Sequence, residues 1–158
     1  MSDLIRSVIL DTDRMKKLGF RLDMDKWFTG CTVCLGGAAA CGFLPDSKIK
    51  EMVKELFGYN NPTDLATEVN HGKEEEVAAM IYMFNFIRRG FITCAIQEYN
   101  EMVSDELKVP ASMGERIECL LLKSHVRNFY EGEITKEGYT QLKNYLNFLA
   151  DLFEEQGY

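Results

Sequence analysis

Apolar residues recur along this chain mostly at helical spacing, three and four apart. Leu4, Ile5, Val8 and Ile9 follow that pattern behind Ser2, a candidate cap, and Gly19 marks the end of the segment. Residues 20–27, FRLDMDKW, alternate only weakly and predict an extended loop laid on the surface of the core. Residues 31–42 predict a buried helix, with Pro45 and Asp46 as punctuation before the next one. Over 46–57, Ile49, Met52, Val53 and Leu56 share one face, and Gly58 fits the position after the helix end. Asn60-Asn61-Pro62 reads as a turn, with a short helix over 63–69 behind it.

The second half continues in the same period. Three glutamates at 74–76 suit a helix N-terminus, and the run AAMIYMFNFI that follows is apolar on nearly all sides, so this helix belongs at the centre. Arg88-Arg89-Gly90 interrupts it, and Ile92, Ala95, Ile96 and Tyr99 resume the pattern over 91–103. Pro110 and Ser112 open a helix over 113–130, with Gly132 after it. Thr135 is a plausible cap for a last helix running to about residue 156. The expectation is an all-α fold without strands: one compact domain over residues 1–158, with about six to seven helices around a central apolar one.

The last helix carries two apolar stripes. Tyr139, Leu142, Leu146, Leu149 and Phe153 form a seam of spacing 3 and 4, and Tyr145, Phe148 and Leu152 lie about 110° around the axis. One stripe is enough to dock the helix on its own core. The second is either internal as well or a face for a partner or a second copy of the chain. Asp151, Glu154 and Glu155 sit at the unfavourable end of the helix dipole, which suggests that they serve a basic partner. The candidate partner-binding set is therefore Leu142, Tyr145, Phe148, Leu149, Leu152, Glu154 and Glu155.

Composition narrows the function classes. The chain has 158 residues, 46% of them hydrophobic, and a net charge of −7 that is spread evenly along its length. Such a chain buries a real core and offers no clustered cations for a polyanion, so nucleic acid and anionic membrane are excluded as partners. The first residues lack the basic and apolar regions of a secretory leader, and the uncharged stretch from Trp27 to Pro45 holds too many Gly and Thr to span a bilayer. A cytoplasmic location is the expectation. Five cysteines, an odd number in such a chain, are expected to be reduced, buried thiols.

Residues 27–42, WFTGCTVCLGGAAACG, hold the candidate chemistry. Cys31-x-x-Cys34 has redox or half-zinc spacing, yet no βαβ setting and no second pair accompany it, and Cys41, Cys94, Cys119, His71 and His125 stand alone. Gly37, Ala40, Cys41 and Leu44 share one nearly bare helix face, which favours close packing of another helix. An anion site at the amides of Gly30, Cys31 and Thr32 is the sharper alternative, although the glycines match neither a dinucleotide fingerprint nor a P-loop. Asp11-x-Asp13 and Asp23-x-Asp25 are short acidic pairs without an EF-hand pattern. No triad, nucleophile elbow or kinase signature is present, so neither an enzyme nor a bound cofactor or metal is expected.

The run LGFRLDMDKWFTGCTVCLGGAAA, residues 18–40, resembles a motif recurring in small uncharacterised helical proteins of bacteriophages and bacteria: F-D-M-x-x-W, then a Cys/Thr/Cys cluster leading into [CA]-[LI]-x-G-x-A. The matching positions are Asp23, Met24, Trp27, Cys31, Thr32, Cys34, Leu35, Gly37 and Ala39. Leu22 stands where the motif has Phe, and no Gly separates Cys31 from Thr32. The resemblance covers about the first 60 residues and implies a phage-like origin, with no activity attached. Two functions are then expected. One is a non-enzymatic accessory protein that binds and inhibits a host or defence protein in the host cytoplasm. The other is a small-ligand or metal-binding domain built on residues 27–37, with a homo-oligomeric structural protein as a further alternative.

Overall fold

The apolar period of the first segment becomes α1, Ser2–Lys17, in the computed structural model, which describes residues 1–29, 31–55, 73–124 and 130–158. Ile5, Val8, Ile9 and Met15 bury its inner face. Ser2 is the first helical residue rather than the cap, and its amide donates to the Tyr158 carbonyl at 2.9 Å. Gly19 takes the left-handed conformation that ends the helix, as its position predicts.

The next residues are not a surface loop. Arg21–Leu22 (β1), Phe28–Thr29 (β2) and Thr32–Val33 (β3) form a small sheet in the order β1-β3-β2, with β1 parallel and β2 antiparallel to β3. Phe20, Leu22 and Met24 alternate with polar residues and point into the core, the period of a strand. Two-residue strands are too short for that period to stand out, which is why the pattern suggested none. The free edge of β1 is covered by residues 132–134: Met24 donates to the Gly132 carbonyl at 2.7 Å and Ile134 to that of Leu22 at 2.9 Å.

Because β3 takes residues 32–33, the following helix α2 is shorter than expected, Leu35–Cys41, and every residue in it is buried. Next come α3, Asp46–Glu55, and α4, Glu74–Ile87, then α5, Ile92–Met102, a 3-10 turn at Asp105–Leu107, and α6, Ala111–Lys123. The last helix is α7, Lys136–Glu154, capped by Thr135, whose Oγ1 accepts from the Gly138 amide at 3.1 Å. The helix expected over 113–130 ends at Lys123. The expectations placed on Leu56, Gly58, the 60–62 turn, the helix over 63–69, His71 and His125 lie outside the described residues, as does Gly30. The fold is mostly helical, with seven α-helices among the described residues, and its buried side chains form one continuous cluster.

α4 is central. It packs on α2 and α5, while α1 packs on α2 and α7, and α6 on α5. The close approach expected of the small residues occurs one position earlier than the predicted face: a Cβ on Gly36 would lie 2.6 Å from Ile81 Cα, so only glycine lets α2 rest on the α4 backbone.

Both stripes of α7 are internal. Leu142, Tyr145 and Leu149 are fully buried, Leu152 is buried and Phe148 is half-buried against the core. The second stripe is covered by the chain itself, and its Tyr145 hydroxyl donates to the Ile87 carbonyl at the end of α4 at 2.7 Å. This corrects the reading of these residues as a partner or self-association face. The acidic end has an internal cation too: Arg6 donates to Asp151 at 2.7 Å and to Glu154 at 2.6 Å, leaving Glu155 exposed.

Candidate functional site

Arg88 and Arg89 follow directly on α4, where cations complement the helix dipole. Arg88 is only 3% exposed, and a buried guanidinium needs partners for each of its arms. It has them. Nε donates to Asn85 Oδ1 at 2.8 Å, one terminal nitrogen donates to the Tyr130 carbonyl at 2.5 Å, and the other lies 3.6 Å from Asp25 Oδ1. The Tyr130 amide returns a bond to the Arg88 carbonyl at 3.1 Å. Burial, and then the neighbouring Arg89 charge, lower the basicity of Arg88, with Asp25 pulling the other way.

Asp25 joins this arrangement to the sheet. Its Oδ2 accepts from the Gly132 amide at 3.0 Å, and its own amide donates to Asp23 Oδ1 at 3.0 Å. The two acids thus stabilise a turn. The other acidic pair is equally engaged: Asp13 accepts from the Tyr139 hydroxyl at 2.5 Å, and Asp11 lies over Gly42, whose added Cβ would meet its carboxylate at 2.7 Å. Burial pushes the Asp11 carboxyl up to about 6 against the opposing charge of Arg14. Among the described residues no group of three His, Cys, Asp or Glu is placed to hold a metal ion.

Cys34 is tied to the backbone of Trp27. The Trp27 carbonyl accepts from the Cys34 amide at 3.3 Å and from its thiol at 3.7 Å, while Cys34 Sγ caps α2 by accepting from the Gly37 amide at 3.4 Å. A Cβ on Gly37 would lie 1.8 Å from the Trp27 oxygen, so the motif's glycine makes room for the carbonyl that carries the indole. Burial pushes the Cys34 thiol up, and Cys41 to about 12, so both are held protonated as structural groups. The expectation that the thiols are all buried is corrected at Cys31 and Cys119, which are exposed. Cys31 precedes β3 and Thr32 is buried within it, so neither offers an amide at a helix N-terminus.

These elements enclose a cleft of about 400 Å³. Asp25, Trp27 and Cys34 line one side, and Tyr82, Asn85, Arg88 and Arg89 of α4 and the turn after it line the other. Arg89 Nε is buried and has no hydrogen-bond partner among the described residues. Of the motif residues, the structure brings Trp27 and Cys34 to the cleft and places Gly37 against the Trp27 carbonyl. Asp23, Cys31 and Thr32 are not among its lining residues, and neither is any of the α7 set. The arginines were missed because they read as an interruption between helices. Their signal was present: two adjacent guanidiniums inside the most apolar stretch of the chain. Compared with known protein families, curated proteins and solved structures, the chain has no match.

Proposed function

We propose that this chain is a small-ligand-binding domain whose site is the cleft between residues 24–34 and the C-terminal end of α4. The observation that carries the reading is convergence: Trp27 and Cys34, from a motif near the start of the chain, face Asn85, Arg88 and Arg89 across an open space of about 400 Å³. Ligand sites are commonly concave, largely apolar spaces of this size with a few placed polar groups. The chemistry of the walls favours binding over catalysis, because the lining thiol is held protonated and the lining carboxylate, Asp25, is engaged by Arg88 and the Gly132 amide. Trp27 is the chain's only tryptophan, so its fluorescence reports the site alone. Native mass spectrometry of the purified chain and a thermal-shift screen of small metabolites test the reading. A bound mass, or a ligand that raises Tm and changes Trp27 emission together, supports it; a bare mass with no responding compound refutes it.

A second reading is a phage-type accessory protein that acts on a host or defence protein with a basic surface. Its support is the net charge of −7 and the motif resemblance, and not the stripe of α7. Affinity capture with the intact chain tests it. A basic host protein recovered in stoichiometric amount and released by salt supports this reading, while recovery insensitive to salt removes the electrostatic argument.

A further inference from the structure

Charge in the cleft is unevenly satisfied. Among the described residues three charged side chains line it, Asp25, Arg88 and Arg89. The Asp25 oxygens face Arg88 and the Gly132 amide, and the arms of Arg88 are taken by Asn85, Tyr130 and Asp25. Arg89 is left as the guanidinium with no ion-pair partner among the described residues, and its buried Nε has no hydrogen bond to any of them. An arginine that lines a cleft without a counter-ion can take one, and the planar guanidinium matches the two oxygens of a carboxylate or phosphate group. The rest of the cleft is suited to something flat: the Trp27 indole is half-buried and Tyr82 is about half exposed, giving aromatic surface on both sides.

We infer that the cleft takes an organic oxoanion, a carboxylate or phosphate monoester on a planar body, with the Arg89 guanidinium pairing the anion and Trp27 and Tyr82 covering the body. This rests on the cleft being a ligand site. The free anion without its ring would lose the aromatic contacts, and a neutral ring of the same shape would leave the Arg89 charge without a counter-ion. The repulsion between the adjacent guanidiniums is also relieved by an anion, consistent with the lowered basicity of Arg88.

The test is a titration of the intact chain with benzoate, phenyl phosphate, benzamide and inorganic phosphate, followed by Trp27 emission and by Tm. Benzoate or phenyl phosphate is expected to saturate the signal, with benzamide at least about 10-fold weaker, and the stronger of the two identifies the anion. Arg89→Gln is expected to weaken that anion by about 10- to 100-fold, the loss of a charge-assisted pair. Arg89→Lys, which keeps the charge without the fork, falls between. Benzamide binding as tightly as benzoate overturns the anion assignment and leaves the cleft a ligand site. Inorganic phosphate binding as tightly as the aromatic anions overturns the planar body. Saturation by none of the four, with other compounds responding in the broader screen, overturns the inference; silence in both overturns the site as well. The comparison of the four compounds uses the parent chain, so it stands even if an Arg89 variant fails to fold.

Discussion

Replacing Gly37 by alanine is the sharpest probe of how the sheet and α2 hold the cleft. The new Cβ would sit 1.8 Å from the Trp27 carbonyl oxygen and 2.8 Å from Val33 Cγ2, where a carbon–oxygen contact normally lies at roughly 3.3 Å. The carbonyl therefore has to retreat by about 1.5 Å, and it is backbone, not the end of a flexible side chain. Overpacking of this kind costs about 1–3 kcal/mol, and the displaced carbonyl gives up its bonds from the Cys34 amide and thiol, at 3.3 and 3.7 Å, worth about 1 kcal/mol together. Alanine regains up to about 1 kcal/mol of helix propensity over glycine. The balance is a loss of about 1–3 kcal/mol, or a fall of about 3–10 °C in Tm for a domain of this size. Differential scanning calorimetry gives the Tm, and Trp27 emission at a temperature where the variant is folded gives the second readout, a shifted spectrum. A variant that melts at or above the parent with an unchanged spectrum would refute the argument, because helix propensity alone predicts that outcome.

Leu149→Ala removes a fully buried side chain from α7 and is expected to cost about 2–5 kcal/mol in urea unfolding; a change below about 1 kcal/mol would return that residue to the surface. Thr135→Ala removes the oxygen that accepts from the Gly138 amide and should lower the urea midpoint by about 1 kcal/mol with an unchanged m-value, whereas no shift would deny the cap. Asp11 is a pH probe. Its carboxyl titrates at about 6 in the folded chain against an ordinary 3.8, so the folded state holds the proton more tightly and the group weighs against folding above about pH 6, an effect that vanishes below about 3.8. Asp11→Asn should therefore raise Tm at neutral pH and reduce its dependence on pH between those two values, and a lower Tm at neutral pH would contradict the burial of the charge.

What the sequence made legible was local chemistry and long periods. α4 was evident because apolar residues on nearly all sides of the ten positions 78–87 have no other placement, and Thr135 and Gly19 because a cap and a left-handed stop act within one turn. The strands were not, since each is two residues long and its partners come from elsewhere: β1 is bonded to β3 and to residues 132–134. The two stripes of α7 show the limit of a pattern. Periodicity identified Tyr145 and Leu152 as apolar, but what covers them depends on where the end of α4 lies, which no local window contains. The acids at its C-terminus looked unpartnered because Arg6 is almost the whole chain away. The same holds for the cleft. Trp27 and Cys34 stood out within a motif, but Arg88 and Arg89 become their neighbours only through the glycine contact that lays α2 on α4.

The bond from Gly132 to Asp25 spans 107 positions of chain, and the neighbouring Tyr130 secures Arg88 across 42. Both walls of the cleft are therefore synthesised long before the strap that fixes them to each other. Closing so long a loop costs only about 0.6 kcal/mol more for each doubling of its length, but it cannot happen until the far end exists. During translation the cleft thus matures only once residue 134 exists, and a nascent chain that stops at residue 124 has the walls without their fastening. A ligand bound there engages walls that the strap ties together, so the amides of residues 21–25 and 132–134 should gain hydrogen-exchange protection as one unit.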